Sequence, residues 1–302
     1  ADSKLHRFSS NGKPGDDAGW YVFHLDGISA GIFGDWRIGL SETWKADSDR
    51  KLTKQEAAEQ RSKFDTLRRE REAAERLGHE EAAEKAAAIW QGVQPAPADH
   101  GYLSRKGIQP HGTKVGNDGR LLVPMRDSAG KLWNIERIVA EKPADGSADK
   151  KGLYLGRRTA CYFSIGSPKC AEVLCVAEGF ATGASIHEAT GLPVAVAFNA
   201  GNLEPVAKAL RQKFPDLPIV ICADDDYRTE GNPGRTKAEV AALAVGGVMV
   251  SPVFQGERPE KATDFNDLHQ VEGMDAVRRI VGAVVDVLTE QAEKPQPEAE
   301  DL

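Results

Sequence analysis

The sequence predicts an α/β fold: a four-stranded parallel sheet flanked by helices, preceded by a small α+β subdomain and by an N-terminal hairpin and long helical region. Three observations carry this. Short apolar runs recur at 173–177, 194–198, 219–223 and 248–253. Helix-forming stretches separate them, and strands alternating with such helices imply a parallel sheet. Each run is apolar throughout rather than alternating, as strands covered on both faces are.

Two of these runs stop at acidic residues. The stretch VLCVAEG (173–179) ends at Glu178-Gly179, and IVICADDD (219–226) ends at Asp224, Asp225 and Asp226. In open parallel sheets the functional groups stand just past the carboxyl ends of the strands. Carboxylates converging there repel one another unless a cation lies between them. Hard oxygen ligands favour Mg²⁺ or Mn²⁺. Side chains at i and i+2 of an extended stretch share a side, so Asp224 and Asp226 can reach one metal while Asp225 points away. Glu178 can ligate a second metal or handle a proton. Metals about 4 Å apart stabilise the attacking and leaving oxygens of phosphoryl transfer. The expectation is that these three groups face each other with no protein cation filling the gap.

Bulk properties narrow the class. The chain has 302 residues, 40% hydrophobic and 28% charged, enough for two or three packed domains. No run of 18 apolar residues exists, so no membrane helix is expected. The start, ADSKLHRFSS, lacks the apolar centre of a signal peptide, and it begins with Ala rather than Met, as a piece of a longer protein would. The net charge of −7 argues against a wholly basic nucleic-acid wrapper. Between residues 99 and 170, however, 13 Lys and Arg face 7 Asp and Glu. A basic segment beside an acidic cluster suits a polyanion that is both held and reacted. Cys161, Cys170, Cys175 and Cys222 form no C-x-x-C pair. They read as reduced, structural and cytoplasmic, and no zinc is expected.

Five segments are expected. Residues 1–50 form a β-hairpin module: runs at 20–25 and 28–33 flank Asp26-Gly27. Trp20, Tyr21, Phe23, Phe33, Trp36 and Trp44 crowd it. Such rings can stack on single-stranded bases, but filling the thin core of a small sheet is the favoured reading. Residues 51–98 form a charged helical region, opening with a Thr53–Glu56 capping box and divided at Gly78, then a linker over 92–98. Residues 99–170 form the basic α+β unit, with a helix over 99–106 and strands at 121–125, 132–139, 153–155 and 161–165. Residues 171–270 form the parallel-sheet domain, with helices over 180–190, from an Asn202 cap to 214, and from Asn232-Pro233 to Gly246. Residues 271–302 form a last helix, 274–290, and an acidic tail.

Glu-Gly after one strand and D-x-D after a later one resemble the signature of the Toprim domain. The longer stretches YLSRKGI (102–108), LLVPMRD (121–127), AEGFATGASIHEATGLPVAVAFNAGNL (177–203), NPGRTKA (232–238) and DFNDL (264–268) resemble phage- and plasmid-encoded Toprim primases, of the conjugative-plasmid and phage-satellite kind. The resemblance covers about residues 99–270. It implies that Glu178 is the catalytic carboxylate and that Asp224 and Asp226 ligate Mg²⁺, with Asp264 and Asp267 as candidates for a second metal or for bracing. It implies that Arg105, Lys106, Arg126 and Arg137, with Arg120, Arg157 and Arg158, hold template or nucleotide phosphates. Arg235 and Lys237, in the 232–237 stretch, would meet a triphosphate at a helix N-terminus. The activity implied is primer synthesis from ribonucleoside triphosphates on single-stranded DNA, with a replicative helicase as a candidate partner. This chain lacks the zinc-ribbon cysteines and the G-x-x-x-x-G-K-[ST] of a fused helicase. A Toprim nuclease attacking with water and a non-catalytic DNA-binding module are the alternatives.

Overall fold

A computed structural model describes residues 4–12, 17–24, 29–35, 40–45, 53–143, 149–153 and 155–293. It separates into two compact units, residues 1–71 and 72–302. Among the described residues no helix is long and apolar enough to cross a membrane.

The first unit is built on a four-stranded antiparallel sheet, β1 (Leu5–Phe8), β2 (Gly19–His24), β3 (Ala30–Asp35) and β4 (Leu40–Lys45), in that order. The expected hairpin is the β2–β3 pair, with Tyr21 opposite Phe33 and Val22 opposite Ile32. Its Asp26-Gly27 turn lies outside the described residues, as does Trp36. Trp20 is buried, but Tyr21, Phe33 and Trp44 are exposed, so the rings do not all fill a core. The reason is strand alternation: Trp20 points to one face and Tyr21 and Phe23 to the other.

Helix α1 (Lys54–Gln91) is continuous, and Gly78 does not divide it. A single glycine costs a helix only about 1 kcal/mol, and the Ala- and Glu-rich flanks outweigh that. Residues 92–98 are not a free linker: β5 (Gln94–Pro95) opens a second antiparallel sheet and Ala96 is buried. After α2 (Gly101–Lys106) that sheet continues with β6 (Lys114–Val115), β7 (Leu121–Arg126), β8 (Leu132–Ile138) and β9 (Lys150–Lys151). In place of the strand expected at 153–155, a two-residue strand forms at 150–151, where Lys150 pairs with Ile138. On β7 and β8, Leu122 and Ile135 pack with Ala86 of α1. Leu121, Val123 and Ile138 face the other way, into the main core.

The third sheet has the order β10 (Phe163–Ile165), β12 (Val194–Val196), β11 (Leu174–Ala177), β13 (Ile219–Cys222), β14 (Val248–Val250). The four expected strands are parallel. β10 joins them as an antiparallel edge rather than closing the preceding unit. Cys175, Ala177, Val220 and Cys222 face a cluster with α3 (Phe180–Thr190), α6 (Phe265–Glu272) and α7 (Met274–Glu293). Leu174, Val176, Ile219 and Ile221 face α4 (Leu203–Lys213) and α5 (Pro233–Val245). Both faces are covered, which is why these strands are apolar throughout.

Asn202 begins α4 but does not cap it with its side chain. Buried instead, it accepts from Ala160 N at 2.8 Å and donates toward the carbonyls of Arg158, Cys161 and Ala197. It ties the loop before β10 to the end of β12. Asn202→Leu removes the partner of four backbone groups, two of them in buried hydrogen bonds, and a loss of about 3 kcal/mol in urea unfolding is expected. A loss below about 0.5 kcal/mol would show that the loop is held otherwise.

Candidate active site

The strand order places a topological switch between β11 and β13: the chain leaves β11 toward β12 on one side, then returns to β13 on the other. Open parallel sheets carry their crevice at that point. The register pairs Ala177 with Cys222. Glu178 and the 224–226 run therefore leave neighbouring strands at one edge, as the sequence requires.

The three aspartates divide as expected. Asp225 turns aside to an ion pair with Arg258 at 2.7 Å and accepts from Asn232 Nδ2 at 2.7 Å. Burial pushes its carboxyl up, but the Arg258 and Asn232 hydrogen bonds outweigh this and hold it below the usual range. Arg258 also lies 3.9 Å from the centre of the Tyr227 ring, which fixes the fork. Asp226 accepts from Gly234 N, at the first turn of α5, at 3.1 Å. A Cβ at Gly234 would stand 2.6 Å from the Asp224 carbonyl and 2.9 Å from Asp226 Oδ2. Only glycine lets α5 approach the acids this closely.

Asp224 is the most strained of the set. Its Oδ1 is buried with no hydrogen-bond partner. Burial, then repulsion from Asp264, Glu178 and Asp226, pushes its carboxyl well above the ordinary value. Glu178 is raised for the same reasons, burial first and Asp226 next, with Ala200 N–H working against them. Asp264 and Asp267 form a capping box on α6: Asp267 N donates to Asp264 Oδ1 at 2.8 Å and Asp264 N to Asp267 Oδ2 at 3.3 Å, with Thr263 N also donating to Asp267 Oδ2 at 2.8 Å. Burial and then Asp267 raise Asp264 as well.

One protein cation stands beside the cluster: a Cβ at Gly179 would lie 4.0 Å from Lys150 Nζ. Lys150 lowers the carboxyls of Glu178, Asp224 and Glu136, although among the described residues it forms no ion pair with them. Burial lowers its pKa, but Tyr102, Glu136, Asp149 and Asp264 beside it outweigh this and raise it. Nothing in the local sequence singles out Lys150 among the 13 basic residues of 99–170. A signal for Glu136 is present in LWNIERI, where Asn134 and Glu136 alternate within an apolar strand. Both are buried on the face turned to the main core.

The basic residues are only partly gathered here. Lys106 lies 3.9 Å from Asp267. Arg158 acts on Glu136. Arg235 stands in the first turn of α5, paired with Glu239 at 3.3 Å. Lys237 is exposed on the same helix. The others spread over the second sheet and its flanks: Arg105 donates to the Ala140 carbonyl, Arg120 pairs with Asp118, and Arg126 donates to the Gly130 carbonyl. Arg157 lies 4.8 Å from the Trp133 ring centre. Arg137 Nε is buried without a partner.

Comparison with known proteins accords with this arrangement. Residues 173–275 match the Toprim domain family. The chain carries a Toprim domain. Likeness extends beyond it: a DNA primase TraC of Escherichia coli is 37% identical over 263 residues, 84% of this chain and 24% of that protein. A second DNA primase TraC of Escherichia coli is 36% identical over 269 residues, 84% of this chain and 18% of that one. The chain thus spans a quarter or less of the length of these relatives. Among solved structures, a DnaG primase catalytic domain bound to ssDNA aligns with 75% of this chain and 85% of its own, at TM-score 0.46 and 13% identity.

The donor set of the Toprim domain suits a hard divalent cation. An orphaned buried acceptor on Asp224, beside carboxyls raised by mutual repulsion, lacks only positive charge. Among the described residues no three acidic, His or Cys side chains are already closed into a ligand sphere. Ionising a group whose folded pKa is raised costs stability. That stability is complete below the ordinary carboxylate range and is lost as pH rises through the raised values. The metal-free protein should therefore gain stability when Asp224→Asn is introduced at pH 8. The expected gain is about 3 °C or more in melting temperature, shrinking toward pH 5. A variant that melts lower at pH 8 than at pH 5, relative to wild type, contradicts this electrostatic picture.

Proposed function

We propose that this chain is the catalytic part of a DNA primase, joining ribonucleotides into a short RNA primer on single-stranded DNA. The supporting observation is a coincidence: the carboxylates stand together at the switch point of a chain that is 37% identical, over 84% of its length, to a protein named as a DNA primase. Asp224 and Asp226 would hold Mg²⁺ or Mn²⁺, with Glu178 shared between metal and proton. A divalent cation held there would supply Lewis acidity to the reacting phosphate oxygens.

The chain's own groups supply the rest. Glu178, at the end of β11 beside Asp226, would take the proton of the primer 3′-hydroxyl as that oxygen bonds to the α-phosphorus of the incoming nucleotide and pyrophosphate leaves. The α5 N-terminus holds Asp226 by Gly234 N–H, which fixes the oxygen it presents. Asp264 and Asp267 brace the edge through the capping box, serving a second metal only if that box opens. Lys106, Arg126, Arg137, Arg105, Arg120, Arg157 and Arg158 hold template phosphates, and Arg235 and Lys237 meet the triphosphate. The setting is cytoplasmic replication or conjugation of a phage or plasmid, with a replicative helicase as partner.

The test is incubation with single-stranded DNA, labelled ribonucleotides and Mg²⁺. New short RNA is expected, with Asp226→Ala reducing it by at least about a hundredfold while the melting temperature is kept. Shortened DNA in place of RNA would assign the same site to a nuclease. Undiminished synthesis by Asp226→Ala would falsify the site.

A further inference from the structure

The clustered carboxylates stand on separate loops. Asp224 and Asp226 follow β13, while Asp264 opens α6. Burial aside, Asp264 is the strongest of the charges that act on Asp224. Like charges this close push their loops apart. Some other contact must hold the loops together.

Arg258 makes that contact. It lies in the stretch between β14 and α6, with only 21% of its side chain exposed. Its Nε donates to the Ala262 carbonyl at 2.8 Å, one terminal nitrogen to Asp225 Oδ2 at 2.7 Å, and the other to the Asp225 carbonyl at 3.0 Å. Asp225 N crosses the same gap and donates to the Thr263 carbonyl at 2.8 Å. The residue beside Asp224 is thus bound to the two residues that precede Asp264. The remaining carboxylate oxygen, Asp225 Oδ1, accepts from Asn232 Nδ2 at 2.7 Å. Asn232 in turn caps α5, the helix whose Gly234 N holds Asp226.

This wiring excludes two simpler roles. Both oxygens of Asp225 are taken by protein donors, so Asp225 is not free to ligate a metal. All three nitrogens of Arg258 donate within the protein, so its fork is not free to hold a phosphate. The Tyr227 and Phe254 ring centres lie 3.9 and 4.9 Å from the guanidinium carbon and confine its plane.

We infer that Arg258 and Asp225 form a latch between the two acid-bearing loops, a pair of positioning residues that holds Asp264 against Asp224 and so fixes where Asp224 presents its oxygens to a divalent cation. The inference rests on the cation site of the proposed function. The middle aspartate of the run aims its neighbours and does not itself ligate. The planar fork is what the latch uses, since three directed bonds run from one rigid group to two loops, and a lysine would bring charge without that geometry.

The test titrates Mn²⁺ into the full chain without nucleotide, followed by electron paramagnetic resonance, with primer synthesis assayed alongside. Arg258→Lys keeps the charge and loses the fork. It should weaken Mn²⁺ binding by about tenfold or more, as loss of a partner that orients a ligand does. Its melting temperature should stay within about 4 °C of wild type. Asp225→Asn, which keeps one acceptor oxygen, serves if Arg258→Lys melts early, and it should weaken binding in the same direction. The double variant should lose no more than the weaker-binding single variant, because both changes break one contact. Mn²⁺ affinity within about twofold of wild type, in a variant that melts as wild type does, would overturn the latch. So would losses that add in the double variant. A loss in Asp225→Asn with none in Arg258→Lys would make Asp225 a ligand and overturn it too. Wild type that takes up no Mn²⁺ overturns the cation site and the latch together. A chain that makes primer while Arg258→Lys binds Mn²⁺ normally keeps the primase and loses the latch. One that makes no primer, yet loses Mn²⁺ with Arg258→Lys, keeps the latch and loses the primase.

Discussion

Negative charge held out of water, without enough positive charge to balance it, governs the working edge of this chain. Glu178, Asp224 and Asp264 are each raised by burial and by their neighbours. A fold gains nothing by collecting such groups for stability alone, since an unpaired buried charge costs several kcal/mol. The surrounding structure reads as partial compensation. Lys150 reaches in from β9, Asp226 takes the N–H of Gly234, and Asp264 is tied to Thr182 and to the first turn of α6. Asp225 is withdrawn from the group and paired with Arg258. What remains unanswered is Asp224 Oδ1, the buried acceptor to which the proposed function assigns a cation.

That arrangement explains why the second sheet stands where it does. Lys150 lies on its edge strand, yet it acts on Glu178 and Asp224 beside the third sheet, and Glu136 of β8 helps to keep Lys150 charged. The apolar contact of Leu121, Val123 and Ile138 with the main core brings them there. The same packing brings Lys106 and Arg158 of the basic stretch toward the acidic edge and leaves its other predicted binding residues spread over the second sheet.

Much of this was legible because strong local signals coincided with the tertiary answer. VLCVA and IVICA are apolar, β-prone and bounded by breakers, and they became β11 and β13. The helix over 180–190 ends at Gly191, which takes the left-handed conformation. What escaped detection depended on partners far along the chain. β5, β6 and β9 are two residues each, too short to leave a pattern, and exist through pairing. Asn202 has the composition of a cap but is claimed by four groups around 158–161 and 197. Lys150 was one basic residue among many until the fold buried it among acids. The aromatic residues of the first unit were assigned to a core because ring count says nothing of which face each ring takes. Only the strand register does.

A direct measurement of the central claim is electron paramagnetic resonance of Mn²⁺ titrated into the protein without nucleotide, comparing wild type with Asp224→Asn. Binding in the wild type that weakens by at least about tenfold in the variant is the predicted result, since one charged ligand is removed. Equal binding in the two proteins, or none in either, would contradict it.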